Sequence, residues 1–165
     1  NDKKLINFSK SNNAKILKVG FENRKKGPFN TQFYKQLKLN YETSFQDFFL
    51  PDDDKKSNLL ESHLFQYYKI KNDFILVHSE TDKINYKIKL NSNIRPIYVE
   101  KESDLFGNIF LYANLIKKAV EIHCVDSSFI HLVERIDTVA KLHYHTNRNS
   151  NTFLTKDWLE VNYGN

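Results

Sequence analysis

The chain has 165 residues, 40% of them hydrophobic and 27% charged, a length and composition that fit one soluble-type globular domain with a single core. No apolar run approaches the roughly 20 residues a membrane-spanning helix needs, so a membrane span is excluded. The formal charge is +5, but only four of the 25 basic residues are arginines (Arg24, Arg95, Arg135 and Arg148), and base or bidentate phosphate readout favours arginine; the basicity reads as a solvated lysine surface rather than a nucleic-acid footprint.

Asn1 opens a chain that holds no methionine, which reads as a processed or excised piece, and no secretory signal is visible. A single cysteine, Cys124, cannot close an intramolecular disulfide and fits a reducing, cytoplasmic setting. The first elements are a strand-like run from Lys15 to Phe21, a turn at Gly27 and Pro28, and a helix in "FNTQFYKQLKL", where Phe29, Phe33, Tyr34 and Leu37 recur at helical spacing. Residues 1–50 therefore form an N-terminal segment of strand and helix, with an interdomain remnant as one reading of it. "PDDDKK", 51–56, breaks the aromatic-rich stretch with a proline and charges and reads as a linker or loop.

From 57 to 165 the pattern becomes regular. "NLLESHLFQYYKI" is helical, "DFILVHSE" is a short apolar strand, and "IRPIYVEKE" is a second. In "FLYANLIKKA", Tyr112, Leu115, Ile116 and Ala119 mark one helix face. "EIHCVD" is a third strand, followed by a helix with Phe129, Leu132, Val133 and Ile136 on one side; "AKLHYH" is a fourth strand and "TKDWLEV" a closing helix. Strands alternating with helices predict an α/β class, a three-layer Rossmann-like domain with a mainly parallel sheet.

Ligands of such sheets bind beyond the carboxyl ends of the strands. Here those ends read His78-Ser79-Glu80, Glu100-Lys101, Asp126-Ser127-Ser128 and Tyr144-His145, all polar after apolar strand bodies. Asp126 or Ser127 suits a helix N-cap, and the same junction suits an anion, because the first helical N–H groups lack partners and carry the positive end of the dipole. Both readings stay open, as do a solvent-facing and a cleft-facing His131. Ser127 lacks the flanking glycines of a hydrolase nucleophile elbow. His143 and His145 share a strand face and, with His123 or Cys124, form a conceivable zinc set, but no metal-site spacing supports it and no metal is expected. Glycine-rich phosphate loops are also missing.

The stretch "LYANLIKKAVEIHCVDSSFIHLVERI" resembles the C-terminal half of GT-B glycosyltransferases of the heptosyltransferase type. Their pattern of L-x-x-L-I-x-x-A, a strand, then D-[ST]-x-x-x-H-L falls here on Leu115-Ile116, Ala119, the strand from Glu121, and Asp126-Ser127 through His131-Leu132. "FYKQLKLNY", "FILVHSE", "EIHCVDSSF" and "HTNR" through Trp158 are similar, in that order, to glycosyltransferase-like proteins of bacteria and large viruses. This chain has Ser128 where the heptosyltransferase type usually carries glycine. The resemblance implies a metal-independent, nucleotide-sugar-binding donor domain, without a resident cofactor, serving a glycan or lipid-linked saccharide acceptor. It places Ser127 and Ser128 at the diphosphate with Asp126 in the same donor-binding turn, His131 near the sugar or phosphate, His78 and Ser79 along the cleft, Glu100 or Lys101 near the nucleoside, and Arg148 as a countercharge. It assigns no catalytic residue. Rival readings are a non-catalytic scaffold that kept the fold and a basic nucleic-acid-binding domain with Tyr67 and Tyr68 as stacking platforms.

Overall fold

A short parallel strand buried on both faces should read as a continuous apolar run, and "FILV" does so. In the computed structural model, which describes residues 2–51, 53–81, 86–146 and 152–163, the run becomes β1 (Phe74–His78), with Ile75, Leu76 and Val77 inaccessible to solvent. The chain divides into two compact units, 1–47 and 48–165.

The first unit is helical. It holds α1 (Asp2–Ser11), a 3-10 turn (Phe21–Asn23), α2 (Phe29–Leu37) and the single turn α3 (Thr43–Gln46). Phe21, Phe29 and Phe33 pack edge-on or tilted with centroids 5.5–5.8 Å apart, and Arg24 lies 5.3 Å over two of these rings. The strand expected at Lys15 to Phe21 does not form. The side-chain amide of Gln36 instead takes both polar groups of Gly20, accepting from its N–H at 2.9 Å and donating to its carbonyl at 3.1 Å. A side chain thus replaces the neighbouring strand at Gly20.

In the second unit Asp53 accepts a hydrogen bond from Lys56 N and caps α4 (Asp54–Tyr67), so the helix begins inside the charged stretch read as a linker. After β1 come β2 (Arg95–Tyr98), a 3-10 turn running into α5 (Ala113–Lys118), β3 (Glu121–Val125), α6 (Ser128–Arg135), β4 (Lys141–Thr146) and β5 (Trp158–Asn162). All four neighbouring pairs are parallel, in the order β2-β1-β3-β4-β5. The architecture is α/β and Rossmann-like, and the proline of β2 sits where the ladder tolerates it, on an edge strand. "TKDWLEV" is not the closing helix its composition suggested: Leu142 through Thr146 of β4 pair with Trp158 through Asn162. Pairing with an existing sheet outweighs a weak helical preference.

Leu60 and Leu64 of α4, Leu115 and Ile116 of α5, and Phe129 and Val133 of α6 pack in one core with Leu76, Ile122, Cys124 and Tyr144. These strand residues share one sheet face, since side chains alternate along a strand. Among the described residues no helix is long and apolar enough to cross a membrane.

Candidate functional site at the carboxyl ends of β1, β2 and β3

In a parallel sheet every strand delivers its last residues to the same edge. Here the connection leaving β1 runs to β2 on one side while that leaving β3 runs to β4 on the other, and these opposite directions open a crevice between the ends of β1 and β3. A cleft of about 560 Å³ lies there. It is lined by His78, Glu80 and Thr81 after β1, by residues 99–102 and Asp104 after β2, by Gly107 and Ile109, and by Asp126, Ser127 and Ser128 at the turn into α6.

Ser127 occupies the N-cap position of α6, yet its hydroxyl makes no capping bond. It lies 3.2 Å from both Val125 O and His78 Nδ1. Asp126 accepts from the Thr152 hydroxyl at 2.8 Å. The start of α6 therefore faces the cleft with the serine hydroxyl turned along its wall, an arrangement suited to an anion or to polar oxygens. The His78 ring stacks on Phe129, with centroids 5.1 Å apart and planes 9° from parallel. Burial pushes its imidazole down to about 4, which keeps it neutral near pH 7.

On the opposite wall the Tyr68 hydroxyl bonds Glu100 Oε1 at 2.6 Å and Ser103 Oγ at 3.1 Å. Burial and then the neighbouring carboxylate push its phenol well above the usual range, so it serves as a donor that fixes Glu100. Five carboxylates (Glu80, Glu100, Glu102, Asp104 and Asp126) and one lysine, Lys101, border the space. Such a rim favours ligand hydroxyl and amine donors; an anion is favoured only at the helix terminus and Lys101.

Six of the residues singled out from the sequence, His78, Glu100, Lys101, Asp126, Ser127 and Ser128, thus share one cleft. Ser79 does not line it; one residue beyond β1, its carbonyl accepts from Tyr86 N at 2.8 Å. His131 is also outside the lining. It sits three residues into α6, about 4.5 Å further along the axis than Ser128, with its Nδ1 buried and without a hydrogen-bond partner among the described residues and its carbonyl accepting from Arg135. Arg148 lies outside the described residues. Thr81, Glu102, Asp104 and Gly107 were not identified from sequence, because they belong to loops whose course no periodicity sets; Glu80 was legible as part of the polar end of β1 but carried no assigned role. The φ of +60° at Gly107 does leave a trace, a glycine in a region that disfavours other residues.

His123, His143 and His145 gather on the other sheet face, whereas Cys124 points into the core, where burial raises its thiol pKa. Fold and cleft together define a Rossmann-like α/β unit with a crevice at its strand ends. Comparison with known proteins finds no matching family model, no matching curated protein and no matching solved structure.

Proposed function

We propose that the 48–165 unit binds a nucleoside-diphosphate sugar in this cleft and acts as the donor half of a GT-B-type glycosyltransferase. The observation that carries the reading is the Asp126-Ser127-Ser128 turn. It opens α6 toward a crevice at the strand-order reversal, with the Ser127 hydroxyl not spent on capping. The diphosphate sits at the start of α6 with Ser127, Ser128 and Lys101, and the carboxylates of Glu80, Glu100 and Glu102 take ribose and sugar hydroxyls. In a transfer reaction negative charge grows on the leaving diphosphate, and a fixed helix terminus stabilises that charge without reorganising. His78 orients the Ser127 hydroxyl through its Nδ1. The acceptor-binding half is a second Rossmann-like domain, and the 1–47 unit, helical among its described residues, is not one.

Calorimetric titration of the full chain with a panel of nucleoside-diphosphate sugars, with and without magnesium, tests the proposal. Hydrogen bonds to charged groups contribute about 1.5–3 kcal/mol, so the Ser127→Ala/Ser128→Ala double variant should bind the best ligand at least tenfold more weakly. Equal affinity in the double variant would remove the assignment of the phosphate position, and no binding by the native chain would leave the scaffold reading.

A further inference from the structure

On the sheet face away from α6, the neighbouring strands β3 and β4 present Glu121, His123, His143 and His145. His123 and His143 are paired across the ladder, and their rings stack with centroids 4.3 Å apart and planes within 2°. Glu121 Oε2 lies 3.3 Å from His123 Nε2 and 3.9 Å from His143 Nε2, and the three ligand atoms all fall within 4.8 Å of one another. A tetrahedral centre with bonds of about 2.1 Å separates its ligand atoms by about 3.4 Å, so binding requires the two imidazoles to leave their parallel stack and turn their Nε2 edges toward a common point beside Glu121.

Two further observations separate this cluster from ordinary polar packing. His143 Nε2 is buried and has no hydrogen-bond partner among the described residues, an expensive state for a ring nitrogen that only needs to fill space. His123, by contrast, is held from behind. Its Nδ1 lies 2.8 Å from His145 Nε2, and His145 Nδ1 lies 2.8 Å from the Tyr163 hydroxyl. With each imidazole donating outward along this chain, from His123 to His145 and from His145 to Tyr163, the lone pair of His123 Nε2 faces Glu121 and is free to bind a cation. Histidine ligands of metals are oriented in this way by outer hydrogen bonds.

We propose that Glu121, His123 and His143 form a binding site for a divalent transition metal, zinc being the ion that best suits two imidazoles and one carboxylate. The donor set excludes magnesium and calcium, which take oxygen ligands, and its three protein ligands leave a fourth position for water. Glu121 keeps a side-chain exposure of 22%, so the ion enters past its carboxylate to the buried His143 Nε2. His145 and Tyr163 are positioning residues.

The test is a zinc titration of the full chain against a chromophoric chelator, paired with the visible spectrum of the cobalt-loaded protein. The native chain should take up about one equivalent of zinc and give the intense d–d bands of a tetrahedral cobalt centre. His143→Ala and, separately, Glu121→Gln should weaken zinc at least a hundredfold, and Tyr163→Phe should weaken it about tenfold by loosening the outer chain. Circular dichroism reports whether each variant is folded; Glu121→Gln, conservative and partly exposed, decides the matter if His143→Ala does not fold. Absence of zinc binding to the native chain, or unchanged affinity in folded Glu121→Gln, would overturn the proposal.

Discussion

Glu134 is nearly inaccessible in the last turn of α6, and its carboxylate accepts four hydrogen bonds from the segment that leads into β5. Oε2 receives Thr155 N at 2.6 Å and the Thr155 hydroxyl at 2.8 Å; Oε1 receives Lys156 N at 3.2 Å and Trp158 Nε1 at 2.7 Å. Lys156 completes the joint by donating through Nζ to the carbonyls of Val133 and Ile136, where the helix ends. Replacing Glu134 by glutamine keeps the volume and one acceptor oxygen but turns an amide NH2 toward two donors. Two buried donors left unsatisfied cost about 1–3 kcal/mol each, so Glu134→Gln should destabilise the protein by about 2–6 kcal/mol. Urea unfolding followed by circular dichroism measures the loss. The fluorescence of Trp158, the chain's only tryptophan, reports the joint locally, because its indole N–H is one of the four donors. A Glu134→Gln stability within about 0.5 kcal/mol of the native value, with unchanged Trp158 emission, would refute the claim that this carboxylate docks β5.

Other expectations follow from the same physics. His78, ordinarily near 6.5 and held at about 4, is neutral in the folded protein but takes up a proton in the unfolded chain as pH falls below 6.5. Its contribution is therefore complete above that pH and is lost as pH falls toward 4. Between about pH 7.5 and 5 the native chain should lose about 2 kcal/mol more than His78→Gln, measured by urea unfolding; parallel pH curves would contradict it. Tyr68→Phe should cost about 1 kcal/mol and, by releasing Glu100, weaken any ligand of the cleft, read by thermal shift. Phe129→Ala, emptying a fully buried position between His78 and Tyr112, should cost about 3–5 kcal/mol by chemical denaturation. Cys124, wholly buried with its thiol held protonated, should resist thiol reagents in the folded chain and react only at the rate of unfolding.

The parts of the fold that were legible in the sequence are those where burial and local preference agree. β1 and β3 are apolar runs bounded by polar residues, and the Phe129/Leu132/Val133/Ile136 stripe marks α6 because that face meets the core. β5 was not legible: as an edge strand it is mostly exposed, so "DWLEV" shows neither a continuous apolar run nor a clean alternation, and only its pairing with β4 defines it. Lys15 to Phe21 misled in the other direction, since its apolar residues are exposed and Gln36 takes the polar groups of Gly20. The candidate cleft was readable because a parallel sheet sends all strand ends to one edge, which brought His78, Glu100 and Ser127 together without knowledge of the loops. Its acidic character was not, because Glu102 and Asp104 reach the rim through loop geometry. The Glu121 contact of the histidine cluster escaped for a related reason: the set weighed was His143 and His145 with His123 or Cys124, while strand alternation puts Glu121 on the histidine face and Cys124 on the other.

The most direct test of the cleft as a nucleotide-sugar site is an amide-resolved NMR titration of the full chain with the nucleoside-diphosphate sugars of the panel. The account predicts that one of them shifts the amides of residues 126–129 and 100–104 together, in a saturable way, with the β3–β4 histidine face undisturbed. Saturable binding that leaves the start of α6 unshifted, or no shift with any of them, would contradict it.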